Sequence, residues 1–108
     1  MKTVTFKEYQ LCNSNRAVAF YYPKISGGRD LVNDVTSMNK TDKNGKAYVD
    51  IKMNVLLLAY VAFRMAADKS LVNKDPGDIM DEVNLYDPEE SEKFVGVIFD
   101  LMYEPKKA

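Results

Sequence analysis

From Val55 to Phe63 every side chain is apolar or aromatic, and the next residue is Arg64. Through Ala67, Arg64 is the only charge and Tyr60 the only other polar group. A helix that is apolar around most of its circumference belongs at the centre of its domain. A membrane-spanning helix needs about 20 apolar residues, so this segment is expected to be buried in protein. Asp50 is placed as its cap, with the helix running over about 50–69. Fully burying each large side chain contributes about 1.5–3 kcal/mol before entropy. The remaining elements must therefore wrap this one helix.

The chain has 108 residues, enough for a single domain over 1–108 with one modest core. Upstream, Val4 and Phe6 alternate with polar residues, and Tyr9 and Leu11 repeat the alternation. Residues 1–12 therefore read as a strand pair or β-hairpin, although the turn lacks Asn-Gly. Asn13 or Ser14 is expected to cap a helix from Asn15 to Tyr22, which Pro23 and Gly27-Gly28 interrupt. Leu31, Val32, Val35 and Met38 suggest a second short helix. Residues 36–48 read as a flexible loop, polar throughout 39–46 and holding an Asn44-Gly45 turn.

Downstream, two segments share one start signal. Asp75-Pro76-Gly77-Asp78 and Asp87-Pro88-Glu89-Glu90 each place Asp at the cap, Pro at the first helical position and acids in the first turn. The first helix is expected to run from Pro76 to Val83. The second is expected to run from Pro88 to about Tyr103, with Phe94, Val97, Ile98 and Leu101 inward. Residues 104–108 read as a frayed tail ending in Pro105-Lys106-Lys107-Ala108. The expected fold is mainly α. It is a small bundle of four to five helices around the central one, with the strand pair at its N-terminus.

Chemistry-bearing patterns are sparse. There is no His, which removes the commonest general base, metal ligand and pH switch. Cys12 is the only cysteine, so no internal disulfide forms. Without a neighbouring His its thiol is better read as a small apolar filler than a nucleophile. Asp42, Asn44 and Gly45 match three positions of a calcium loop, but Lys40 and Ile51 occupy the positions that require Asp and Glu. A solvated turn is the better reading. The carboxylates from Asp75 to Glu92 sit at helix starts and on polar faces, where capping and solvation account for them better than glycoside chemistry. Gly27-Gly28 lacks the lysine and spaced glycines of a phosphate loop. Asp68-Lys69-Ser70-Leu71 differs from the Asp-Ser-Leu of a carrier protein and closes a helix rather than opening one. No catalytic, cofactor or metal site is expected.

The formal net charge is −1, from 15 basic and 16 acidic side chains, so no global attraction to nucleic acid or an anionic membrane is expected. The charge is divided unevenly. Residues 1–50 carry a net +3 and residues 51–108 a net −4. The acidic half is either a solvated face or a surface for a basic partner. The N-terminus shows no signal-peptide pattern, and a lone thiol suits a reducing cytoplasm.

The order of elements resembles one family. A strand pair from Val4 to Leu11 leads into a short aromatic helix, Ala17 to Tyr22. A variable loop, the Ala/Leu-rich helix Val55–Phe63, the short acidic helix Asp78–Val83 and a last amphipathic helix ending in Leu101-Met102 follow. This resembles the tail assembly chaperones of long-tailed bacteriophages and related prophages. The resemblance implies a non-enzymatic protein that coats the helical tape measure protein, recruits tail tube protein and self-associates into homo-oligomers. It also implies a longer frameshifted product, with which Lys106-Lys107 is compatible. Such a role needs an apolar groove for a client helix. The candidate partner-binding residues are Phe20, Tyr21, Tyr22, Leu31 and Val35 beside Phe94, Ile98 and Met102. The competing expectation is that these residues complete the core. Two other classes stay open: a small α-helical regulatory or adaptor protein with one protein partner, and an enzyme working through carboxylates, alone or with a metal.

Overall fold

A computed structural model describes residues 1–103. Its centre is α3 (Met53–Ala67), in which every residue from Ala59 to Met65 is buried. Burial on all sides follows from the absence of any polar stripe. The start of α3 differs from the expectation. Lys52, not Asp50, stands at the cap and no side chain caps it. Asp50 instead pairs with Lys52 Nζ at 2.9 Å.

The N-terminal strand pair is present. β1 (Thr3–Phe6) and β2 (Tyr9–Cys12) are antiparallel, with Val4 opposite Leu11 and Phe6 opposite Tyr9. Lys7 takes the positive φ of 56° that an Asn or Gly ordinarily supplies. Its ammonium donates to Glu82 O at 2.9 Å and lies 3.2 Å from Glu90 Oε1, so tertiary contacts hold the strained turn. Phe6 meets Tyr60 and Phe94 edge-on, each at 6.0 Å between centroids, and the last two meet at 5.6 Å. This aromatic triangle joins the hairpin to α3 and α5 (Pro88–Met102).

Pro23 does not break the first helix. A π-helical turn, Ala17–Tyr21, runs directly into α1 (Tyr22–Ile25). Widening the helix just before proline removes the need for its missing N–H and makes room for its ring. Ser14 Oγ accepts from Ala17 N, whereas Asn13 ties the strand pair to α5 by donating to Leu101 O at 2.9 Å. Gly27 and Gly28, both at positive φ, then turn the chain into α2 (Leu31–Thr36).

The stretch expected as a loop is instead a second hairpin. β3 (Asn39–Thr41) pairs antiparallel with β4 (Ala47–Val49), so the fold is helical with two small strand pairs rather than one. Asp42 Oδ1 accepts from Asn44 N and Lys46 N at 2.8 and 2.9 Å, and Gly45 supplies positive φ. Local turn chemistry of this kind closes a ladder even with no apolar alternation in the strands. After a 3₁₀ turn (Lys69–Leu71), α4 spans only Pro76–Met80, shorter than expected. Both Asp-Pro starts are real helix starts. Asp87 caps α5 through Glu89 N and Glu90 N, while the Asp75 side chain makes no capping bond. The expected frayed tail, 104–108, lies outside the described residues. No helix among the described residues is long and apolar enough to cross a membrane.

Candidate functional site

The eight candidate contact residues do not form one surface. Tyr21, Tyr22, Leu31, Val35, Phe94 and Ile98 are all buried in the core, which leaves only Phe20 exposed and Met102 half-buried. The reason is geometric. Tyr22 packs inward at the π-to-α junction, and Phe94, itself a corner of the aromatic triangle, shares the buried stripe of α5 with Ile98. Phe20 is 58% exposed, but it stands apart with Asn15, Arg16 and Ala19, its ring 5.5 Å from that of Tyr21.

Leu31, Val35 and Met102 do come together. With Val18, Val32, Thr36, Phe63 and Tyr103 they line an open trough of about 220 Å³ between α2 and the end of α5. Phe63 forms the floor. Leu31 and Val35 form one wall, and Met102 and Tyr103 the other. Val32 is 59% exposed on the lip. Small-molecule sites run to about 300–1,000 Å³. This trough is therefore sized for an inserted side chain. Methionine suits such a surface because its thioether re-packs around different shapes.

A six-residue helix such as α2 is held by tertiary contacts, not by propensity. On its inward side Asp34 is buried. Arg29 grips it with Nε at 2.9 Å and Nη2 at 2.6 Å, and Tyr22 Oη donates to it at 2.7 Å. The Arg29 hydrogen bonds hold the Asp34 carboxyl below the usual carboxylate range. Burial, followed by the bond to Asp34, pushes the Tyr22 phenol up. On the opposite wall, Tyr103 Oη donates to Val35 O at 3.4 Å.

A second polar cluster lies across the molecule. Arg64 donates from Nε and Nη2 to Glu82 at 2.8 and 3.2 Å, and from Nη1 to Gln10 O at 3.2 Å. Tyr60 Oη adds a bond to Glu82 Oε1 at 2.7 Å, and the guanidinium sits 4.8 Å from the Tyr9 ring centre. The one charge on the central helix is thus neutralised and its donors satisfied. Its place is structural, binding α3 to the hairpin and to the chain after α4.

Val18, Val32, Thr36, Phe63 and Tyr103 were missed as lining residues. Val32 was legible, since it stands off the Leu31–Val35 stripe of an amphipathic segment. Val18 and Tyr103 were not, because only tertiary packing brings them there. No family model, curated protein or solved structure matches this chain.

Proposed function

We propose that this chain is a non-enzymatic phage tail assembly chaperone of the bacterial cytoplasm. It keeps the tape measure protein soluble and presents it to tail tube protein. The observation that carries the proposal is the trough between α2 and α5: apolar, open, and sized for one inserted side chain. A long amphipathic helix offers large apolar anchors at i, i+3, i+4 and i+7. Many copies of a small holder, each taking one anchor, cover such a helix without any chemistry. The element order adds the family resemblance.

Co-expression with the tape measure protein of the same phage tests this. The native chain is expected to carry the client into the soluble fraction in several copies per client. Val32→Glu, which places a charge on the lip, is expected to leave the client insoluble. A client that stays insoluble with the native chain contradicts the proposal. A discrete complex of one copy with one different protein favours the adaptor reading.

A further inference from the structure

The strands of the second hairpin belong neither to the trough nor to the core. All six of their residues are exposed. The root is fixed, since Asp50 N donates to Met38 O at 2.7 Å and Lys52 N to Met38 Sδ at 3.4 Å. At the tip Asp42 N donates to Lys46 O at 2.9 Å. Opposed residues in an antiparallel ladder alternate between bonded and non-bonded pairs. Asp42–Lys46 and Met38–Asp50 are bonded, so Lys40–Tyr48, midway between them, is bonded as well. Asn39–Val49 and Thr41–Ala47 are then the non-bonded pairs, and their N–H and C=O groups point outward. Among the described residues, no backbone bond from another element reaches these outward groups. A two-stranded hairpin alone is marginal in water, and an open edge accepts a further strand.

The two edges differ. Polar Asn39 and Thr41 flank the edge of β3. Ala47 and Val49 flank the edge of β4, with Val49 46% exposed, and Ile51 follows at 44%. Side chains alternate between the two faces of a strand. The opposite face of β4 therefore carries Tyr48, 51% exposed, with Lys40 directly across from it and Lys46 two residues before it. Lys43 adds a third ammonium at the tip. Among the described residues, none of these three lysines is in an ion pair. The only acid between 39 and 49 is Asp42, whose Oδ1 is bonded into the turn.

We propose that the edge of β4 receives an extended segment of another protein in which acidic and apolar side chains alternate. The segment pairs antiparallel, the more stable ladder. Its apolar side chains lie beside Ala47 and Val49. Its carboxylates lie on the other face, beside Lys46 and Tyr48 and within the field of Lys40. Charge complementarity names this occupant. The lysines that attract a carboxylate repel the same arm of a second copy. A nucleic acid would use the lysines and the Tyr48 ring but leave the outward amides of Ala47 and Val49 unpaired. The α2–α5 trough takes no part, and the client-binding proposal stands or falls separately.

Nuclear magnetic resonance on the full ¹⁵N-labelled chain tests this. The probe is an acetylated, amidated peptide of about three Glu-Val repeats, long enough to span a short strand. In roughly 20 mM salt the Ala47 and Val49 amides are expected to shift on titration and to exchange with solvent about tenfold more slowly. In roughly 500 mM salt, where the Debye length is only a few ångströms, the association constant is expected to fall about tenfold. Methylating the valine nitrogens of the peptide, which face β4, is expected to abolish binding. Methylating its glutamate nitrogens, which face away, is expected to leave binding intact. Lys40→Glu/Lys46→Glu, at two exposed positions, is expected to lose the Glu-Val peptide and to bind a Lys-Val peptide instead. Val49→Pro removes an outward N–H and no bond of the hairpin. It is expected to lose the peptide while the Tyr48 amide, inside the ladder, stays protected. Val32→Glu is expected to leave peptide binding unchanged. A native chain that ignores the Glu-Val peptide, or equal losses from the two methylated peptides, overturns the proposal. So does oligothymidylate bound at least as tightly, or Ala47 and Val49 amides that a second copy covers as the free chain is concentrated.

Discussion

Replacing Tyr22 by alanine separates core from contact surface most sharply. Its ring is fully buried, and its hydroxyl donates at 2.7 Å to an Asp34 that Arg29 also holds. Removing a buried aromatic ring costs about 3–5 kcal/mol through lost burial and the cavity left behind. Removing only the hydroxyl, in Tyr22→Phe, costs about 1.5 kcal/mol. That is the low end for a bond to a charged group, because Asp34 keeps both bonds from Arg29. With a urea dependence of about 1.5 kcal/mol per molar, Tyr22→Phe lowers the unfolding midpoint by about 1 M and Tyr22→Ala by about 2–3 M. Phe20→Ala, two residues away at an exposed position, should stay within about 0.5 kcal/mol. Equilibrium urea unfolding followed by far-ultraviolet circular dichroism reads all three. Equal, small shifts for Tyr22→Ala and Phe20→Ala would refute the assignment of Tyr22 to the core.

Three further outcomes follow from the same geometry. Arg64→Met leaves the Glu82 carboxylate without its cation and should cost about 3–5 kcal/mol, while Arg64→Met/Glu82→Leu should recover much of the loss in the same urea assay. The folded pKa of Asp34 is depressed, so its contribution is present above the unfolded value of about 3.9 and disappears as pH falls through the folded one. Asp34→Asn should therefore flatten the acid limb of a plot of stability against pH between about pH 5 and pH 2. Val32→Glu should leave stability within about 0.5 kcal/mol, since the side chain is 59% exposed, yet abolish client binding.

Much of the fold was legible because local signals agreed with the global arrangement. The uninterrupted apolar run of α3, the alternation of Val4, Phe6, Tyr9 and Leu11, and the two Asp-Pro starts each carried their own structural signal. The second hairpin was not legible, because 39–49 has no apolar alternation. It is closed by Asp42 and Gly45 at the turn and by Met38 at the root. Pro23 misled for a different reason. A π-helical turn absorbs it, and nothing in the local sequence announces one. Lone Arg64 on an apolar helix signals a buried charge needing a partner, and the acidic stretch after it holds that partner. Which carboxylate it takes depends on the turn after α4. Among the candidate contact residues, spacing alone placed all eight on apolar faces. It could not tell Tyr21, Tyr22, Phe94 and Ile98, buried away from the trough, from Leu31 and Val35, which are buried in the core yet also line the trough beside Met102.

The methionine methyl groups offer the most direct test of the trough. Met102 lines it, Met80 lines a separate hollow with Leu57, Val83 and Leu85, and Met38 and Met65 are buried in the core. The full chain, labelled with ¹³C at the methionine methyls, would be titrated in roughly 500 mM salt with an amphipathic helical segment of the tape measure protein. The Met102 resonance should move progressively, while Met38, Met65 and Met80 hold their positions. A Met102 signal that stays fixed, or shifts centred on Met80, would contradict a client site between α2 and α5.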